Sequence, residues 1–218
     1  MEWHITDAQN LASIDREIGG FVAIKQSNDD TFIQENSYFS PAEYEIIRRV
    51  VYATGDFEYK SLIEFSERAL QASAAALASR STVIVDDPKV QAGIAEEVQK
   101  TFANPVYCAV EAQTRPQKDK TRAAWGMETL AKRYPEGIFV VGQATTAITT
   151  LLNLVKTEKI RPVLIIATPP QFTNIDSIKQ VLQEFSIPNI TINSCKGGAT
   201  VGAAILDGLV DLAWEAYG

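Results

Sequence analysis

Short apolar segments alternate with segments of helical periodicity from residue 82 onward, and no other feature constrains the fold as strongly. Strands are predicted at 82–86, 105–110, 137–142, 162–168 and 189–193, and helices at 88–100, 121–134, 144–156, 174–185 and 197–216. Because these strands are apolar along their whole length, helices must cover both faces of their sheet. We therefore predict one α/β domain, residues 1–218, with a doubly wound, mainly parallel sheet of about five strands.

Two helices precede the alternating region and are predicted to form an N-terminal helical layer. The first spans residues 5–20 and carries its apolar side chains on one face. The second begins with Ser40, Pro41 and Glu43, which make a capping box with proline at the first helical position. A glycine two residues after Ala53 predicts that this helix ends there.

The segments on either side of the second helix carry weaker signals. Residues 21–39 place a polar run between short apolar pieces, so we interpret them as an inserted loop or hairpin. After Tyr59, an alanine-rich segment from Lys60 to about Ser79 is predicted to form one long helix.

Charge and composition exclude several functional classes. The net charge is -7, and the 20 Lys and Arg residues are spread along the chain, so no surface for nucleic acid is expected. No apolar run approaches the roughly 20 residues that a membrane span needs, and the first residues lack the pattern of a signal peptide. We therefore expect a cytoplasmic protein whose partner is a small molecule rather than nucleic acid or a membrane.

The counts of histidine and cysteine limit the chemistry further. His4 is the only histidine, which leaves little basis for a metal site or for a nucleophile activated by histidine. Cys108 and Cys195 lie far apart without metal-type spacing, so we expect two buried free thiols. No metal ligands are predicted.

Polar residues and glycines follow the predicted strands, at the edge where parallel α/β sheets bind ligands. The Lys196-Gly197-Gly198 turn precedes a helix, so its backbone N–H groups can receive a carboxylate or a phosphate, although it lacks the glycine pattern of nucleotide sites. Ordinary turns, helix caps and surface ion pairs explain the same residues without a ligand. The other residues of this kind are Asp86, Arg122, Gln143, Thr145 and Thr146.

The end of the helix that begins at Pro41 concentrates another group of polar side chains. Tyr52, Thr54 and Asp56 bring a phenol, a hydroxyl and a carboxylate to one helix end. This combination suits a site that donates protons or hydrogen bonds. An ordinary helix end with a half-buried tyrosine produces the same pattern, so residue types alone leave both interpretations open.

Six segments follow one another within residues 41 to about 212: RRVVYATGDFEY, TVIVDDPKVQAGI, TRAAW, GIFVVGQATTAI, RPVLIIATPPQF and KGGATVGAAILDGL. Together they resemble the precorrin-8X methylmutase family of cobalamin biosynthesis. Each segment is short, but their order and spacing make the resemblance specific. It implies an α/β homodimer that moves a methyl group from C-11 to C-12 of a corrin ring without a cofactor. The ring is cobalt-free in some members and contains cobalt in others.

The sequence departs from the family pattern at three places. Tyr52 stands where the family motif, similar to R-x-I-H-x-x-G-D, has its catalytic histidine. Residues 142–147, Gly-Gln-Ala-Thr-Thr-Ala, replace the family's Gly-Asn-Ala-Pro-Thr-Ala, and residues 169–173 are only similar to its Pro-Val-Gly-Phe-Val. A phenol with a pKa near 10 donates a hydrogen bond at neutral pH but releases a proton less readily than a histidine.

The resemblance implies roles for particular residues. Tyr52 is predicted to be the catalytic donor to the macrocycle. Two other interpretations stay open: a non-catalytic tetrapyrrole-binding or carrier protein that has lost the acid, and an unrelated α/β protein that binds a phosphate-bearing ligand. Substrate-binding roles are predicted for Thr54, Asp86, Arg122, Gln143, Thr145, Thr146, Lys196, Gly197 and Gly198.

Overall fold

A six-stranded sheet forms the centre of the fold in a computed structural model, which describes residues 5–18, 39–115, 117–170 and 175–218. The helices are α1 (Ile5–Ile18), α2 (Pro41–Thr54), α3 (Tyr59–Leu62), α4 (Ala69–Ala78), α5 (Pro88–Lys100), α6 (Arg122–Arg133), α7 (Thr145–Lys156), α8 (Ile175–Glu184) and α9 (Ala199–Tyr217). The strands are β1 (Ile63–Phe65), β2 (Val83–Val85), β3 (Val106–Cys108), β4 (Ile138–Val141), β5 (Leu164–Ala167) and β6 (Asn189–Ile192). A short 3₁₀ helix, Ala109–Glu111, follows β3.

The strand order is β1-β6-β5-β4-β2-β3, and every neighbouring pair is parallel except β1 and β6. The register sets Val83 of β2 beside Val106 of β3 on one side and beside Ile138 of β4 on the other. The order therefore reverses at β2, and ligands of such sheets bind beyond the carboxyl ends of the strands at this reversal. The predicted doubly wound, mainly parallel sheet is confirmed, with one strand more than expected.

The additional strand, β1, lies where one long helix was predicted from Lys60 to about Ser79, so that prediction is wrong. Ile63 pairs with Ile192 of β6, and the backbone N–H of Asn193 donates to the Leu62 carbonyl at 2.7 Å. This pairing covers the edge of β6, and it prevails over the helix propensity of the surrounding sequence.

Alternate residues of the strands face two hydrophobic cores, one on each side of the sheet. Val83 and Val140 face the core that includes α2, α4, α5 and α9. Ile84 and Phe139 face the core that includes α6, α7 and α8. Helix α2 packs on α9, and α1 packs on α2, which confirms the predicted N-terminal helical layer.

The local signals at α2 act as predicted. The Ser40 hydroxyl accepts from the backbone N–H of Glu43, whose carboxylate accepts from the Ser40 N–H at 2.7 Å. The helix ends at Thr54, and Gly55 closes it in the left-handed conformation with φ 67°.

Three other expectations concern the two cysteines, the insertion at 21–39 and membrane-spanning segments. Cys108 is buried as predicted, but Cys195 is exposed because it lies in the loop between β6 and α9, and both thiols are free. Residues 19–38 lie outside the described part of the chain, so the insertion at 21–39 stays a prediction. No helix within the described ranges is long and apolar enough to cross a membrane.

A cluster of charged side chains lies between α2, α5 and α9. Arg49 Nη2 lies 2.6 Å from Asp211 Oδ2. The carboxyl group of Glu97 lies near Asp211, and that of Asp207 lies near Glu97, Arg49 and Asp211. Burial raises the pKa of Asp207 to about 7, and the neighbouring Glu97 and Asp211 carboxylates raise it while Arg49 lowers it. More carboxyl groups than guanidinium groups meet here, which favours the protonated form of Asp207.

We expect Asp207→Asn to remove a pH dependence from folding stability. The unfolded wild type releases the Asp207 proton near the ordinary value of 3.8, whereas the folded chain holds it until about pH 7. Wild-type stability therefore falls as the pH rises between these values, by at most about 4 kcal/mol from this group. Since Asn does not ionise, the variant should gain stability relative to the wild type over the same range, measured by urea unfolding.

Glu215→Gln is the control, because it removes a carboxylate from an exposed position of the same helix. Its stability difference from the wild type should stay constant over that range. An Asp207→Asn difference that also stays constant would contradict the account of the buried carboxyl group.

Candidate active site

An open cavity of about 570 Å³ lies where α2 ends and α9 begins. It is at the carboxyl edge of the sheet, because the loops after β5 and β6 contribute to its walls. The turn between α2 and α3 forms the opposite wall. Its lining residues are Ala53, Thr54, Asp56, Tyr59, Pro170, Cys195, Lys196, Gly197, Gly198, Thr200 and Val201. Four residues with predicted substrate-binding roles, Thr54, Lys196, Gly197 and Gly198, are thus brought together here, beside Asp56.

Thr54 shapes the end of α2 at the cavity wall. Its hydroxyl donates to the Val50 carbonyl at 2.7 Å and accepts from the backbone N–H of Asp56 at 3.2 Å. The Thr54 hydroxyl therefore donates its proton to the backbone of its own helix. Thr54 fixes the turn that carries Asp56.

Lys196 joins the two walls of the cavity. Its Nζ lies 2.5 Å from Asp56 Oδ2 and 2.8 Å from Glu58 Oε2. Asp56 first, and then Glu58, raise the pKa of Lys196, while Lys196 lowers the pKa of Asp56. One ammonium group is shared by two carboxylates, so an anionic ligand would have to compete with at least one of them.

The Gly197-Gly198 turn brings the start of α9 against the end of β5. Both residues have positive φ, 148° and 128°, and a Cβ at Gly197 would lie 2.2 Å from the Thr168 carbonyl oxygen. The backbone N–H of Gly198 donates to that same oxygen at 2.6 Å. The N-cap residue of α9 is Gly198, which has no side chain that could cap the helix, so the first N–H groups of α9 are donors beside the cavity for which the described residues provide no side-chain cap.

Asp86 is fully buried at the end of β2, where the strand order reverses. Its Oδ1 accepts from the N–H of Gly142 at 2.9 Å, and its Oδ2 accepts from Gln143 and Ala144 at 2.8 and 2.6 Å. Burial raises the pKa of Asp86, and these three donors oppose the rise. The carboxylate therefore holds the turn between β4 and α7 in place, and its oxygens face this turn.

The remaining predicted residues lie at the starts of α6 and α7. The hydroxyl oxygens of Thr121 and Thr146 are 2.7 Å apart and join the two helices. Arg122, Gln143 and Thr145 are exposed beside them. Among the residues that the structure describes, no ion pair engages the Arg122 guanidinium.

Gly142 connects this second group to the cavity. A Cβ at Gly142 would lie 2.9 Å from the Cα of Ala199, the first residue of α9. The turn held by Asp86 is thus in direct contact with the helix start that lines the cavity.

Tyr52 is separate from both groups. Its side chain is 38% exposed, it is not among the cavity-lining residues, and its hydroxyl donates to Asp7 Oδ1 in α1 at 2.7 Å. This hydrogen bond is the main reason that the pKa of Tyr52 is raised, which makes the phenol a weaker acid. Its role as the catalytic donor stays a prediction.

Sequence reasoning missed a different tyrosine. Tyr59 lines the cavity, although its side chain is only 4% exposed. It belongs to the same segment as Tyr52 and follows Asp56 by three residues. The short spacing between Asp56 and Tyr59 was the sequence signal that the two residues lie near each other. It was overlooked because the next helix was predicted to begin only at Lys60.

We expect Asp86→Asn to lower the free energy of unfolding by about 1–3 kcal/mol. The substituted amide has one oxygen, and its NH₂ group would meet backbone N–H donors that now bind the carboxylate. Urea unfolding followed by circular dichroism measures the loss.

Asp87→Asn is the matched control for this substitution. Asp87 caps α5 by accepting from the backbone N–H of Lys89, and Asn caps helices about as well as Asp. Its unfolding free energy should change by less than about 0.5 kcal/mol. Equal losses in the two variants would contradict the assigned role of Asp86.

Both the sequence and the structure match known proteins. The family described as CbiC, precorrin-8X methylmutase, matches residues 21–212. A cobalt-precorrin-8 methylmutase of Synechocystis sp. is 33% identical, covering 81% of this chain and 88% of the relative. That of Methanocaldococcus jannaschii is 31% identical, covering 94% of this chain and 93% of the relative.

The structural comparison agrees with these matches. A crystal structure of a precorrin-8X methylmutase from Thermus thermophilus has a TM-score of 0.79 and 29% sequence identity, covering 97% of each chain. The segments that carry the sequence resemblance therefore lie in a shared fold. The chain belongs to the precorrin-8X methylmutase family.

Proposed function

We propose that the chain catalyses the reaction of its family, as an isomerase of cobalamin biosynthesis that moves a methyl group from C-11 to C-12 of a corrin ring. The observation that carries this proposal is the cavity between α2 and α9, all of whose lining residues fall within the family match. The methyl group leaves one ring carbon and joins its neighbour in the same molecule. The reaction therefore consumes no second substrate.

We propose that the cobalt-containing substrate is the preferred one. The relatives from Synechocystis and Methanocaldococcus jannaschii, which share about a third of their residues with this chain, are both named cobalt-precorrin-8 methylmutase. In this account the cobalt is part of the substrate rather than a cofactor of the protein.

The donors at the start of α9 are proposed to receive a peripheral carboxylate of the ring. The uncapped first turn offers backbone N–H groups and a partial positive charge to an anion. Lys196 would join this contact by exchanging one acidic partner for the substrate, because charge-assisted hydrogen bonds are the strong ones. Gly197 and Gly198 keep the backbone close enough to take part.

The second group of residues is proposed to contact the ring substituents from the side of the strand-order reversal. Arg122 would bind another carboxylate, since its guanidinium is exposed and no described residue forms an ion pair with it. Gln143, Thr145 and Thr146 offer an amide and two hydroxyl groups. Asp86 would act through the turn that it holds.

We expect the purified protein to convert cobalt-precorrin-8 under anaerobic conditions, with a higher kcat/KM than for precorrin-8X. The visible spectrum follows the conversion, and NMR of the product reports the position of the methyl group. Faster conversion of the cobalt-free substrate would contradict the proposed preference for the cobalt-containing substrate but not the proposed enzyme activity. Tight binding of the corrin product with no conversion of either substrate would contradict the enzyme and support a tetrapyrrole-binding protein.

We further propose that the protein works as a homodimer in the cytoplasm, as the resemblance to the family implies. Light scattering coupled to size-exclusion chromatography should then give twice the 23.9 kDa mass of one chain. A mass of one chain at micromolar concentration would contradict the dimer.

A further inference from the structure

We infer that the Tyr59 hydroxyl donates a hydrogen bond to the corrinoid bound in the cavity between α2 and α9. This inference rests on the proposed function and adds a contact residue to it. Three observations support it: the position of the Tyr59 ring, the surroundings of the Tyr59 hydroxyl group, and the hydrogen bonds of the other tyrosines near α2.

The ring of Tyr59 is fixed by packing. Tyr59 is the first residue of α3, and its side chain belongs to the hydrophobic core together with Ile63 of β1 and Val51 of α2. Although it is nearly buried, it forms part of the cavity wall. A ring that packing already holds at a cavity wall loses little further side-chain entropy when its hydroxyl group binds a ligand there.

The surroundings of the hydroxyl leave its proton available. Asp56 and Lys196 are close enough to the phenol to influence its pKa electrostatically, and the nearby backbone N–H of Gly197 lowers that pKa slightly. No residue within the described ranges accepts a hydrogen bond from the Tyr59 O–H group. A nearly buried hydroxyl group gains from pairing its proton, so the Tyr59 O–H group is available to donate to a ligand in the cavity.

Tyr59 stays protonated at neutral pH. Burial, followed by the Asp56 carboxylate, raises the pKa of the phenol, and Lys196 and the Gly197 N–H lower it by less. The group is therefore a hydrogen-bond donor, rather than a phenolate, under physiological conditions.

The other tyrosines near α2 use their hydroxyl groups differently. Tyr44 donates to Asp15 Oδ1 at 2.6 Å, and Tyr52 donates to Asp7 Oδ1 at 2.7 Å. Both bonds connect α1 to α2, and neither tyrosine is among the residues that line the cavity. Tyr59 is the tyrosine whose side chain lines it.

The test compares Tyr59→Phe with the wild type in two measurements. The first is kcat and KM for conversion of cobalt-precorrin-8, and the second is the affinity for the corrin product from a visible-spectrum titration. Loss of a buried hydrogen bond to a polar ligand should lower kcat/KM and product affinity by about 10- to 100-fold. The phenylalanine ring preserves the packing, and thermal unfolding verifies that the variant is folded.

Tyr44→Phe is the matched control, because Tyr44 is about as buried as Tyr59 but is not among the residues that line the cavity. Its kcat/KM and product affinity should stay within about twofold of the wild type. Tyr52→Phe is measured in parallel, since Tyr52 is the residue that the resemblance predicts as the donor.

The outcomes separate the two proposals. Wild-type affinities in Tyr59→Phe, or equal losses in Tyr59→Phe and Tyr44→Phe, would overturn the contact made by Tyr59. A wild-type protein that converts neither substrate would overturn the proposed enzyme. The product titration would still test the contact in that case, because it needs binding alone.

Discussion

The close approach between the start of α9 and the ends of β4 and β5 is the constraint on which the rest of the structure depends. A side chain at Gly197 would collide with the Thr168 carbonyl, and one at Gly142 would collide with Ala199. Since glycine has no side chain at either position, the helix can begin directly at the carboxyl edge of the sheet. Its uncapped N–H groups are thereby placed where ligands of parallel sheets bind.

The opposite wall of the cavity follows from how α2 packs. Helix α2 packs on α9, and its residues Ile46, Ile47, Val50 and Val51 are fully or almost fully buried in the core that the two helices share, so its end reaches the same edge. The turn after it then carries Asp56 and Tyr59 toward the loop after β6, and Lys196 bridges the two walls. Two packed helices and the two ion pairs of Lys196 thus bring together residues that are far apart in the chain.

Much of the fold was predictable because its signals are local. The periodicity of the apolar residues predicts the five parallel strands, and the capping box at Ser40 predicts the start of α2. Strand β1 was missed, since only its pairing with β6 distinguishes it from the helix that its sequence favours. Within the candidate site, Lys196 and the glycine turn were found from their position after a strand. The outward orientation of Tyr52 and the inward one of Tyr59 depend on how α1 and α3 pack against α2, which no local pattern records.

A crystal structure with the corrin product bound would show where the ring lies. We expect the ring in the cavity between α2 and α9, with one carboxylate at the first turn of α9 and the Tyr59 hydroxyl within hydrogen-bond distance of the product. A ring bound beside Tyr52 and Asp7 instead, with the cavity empty, would contradict this expectation.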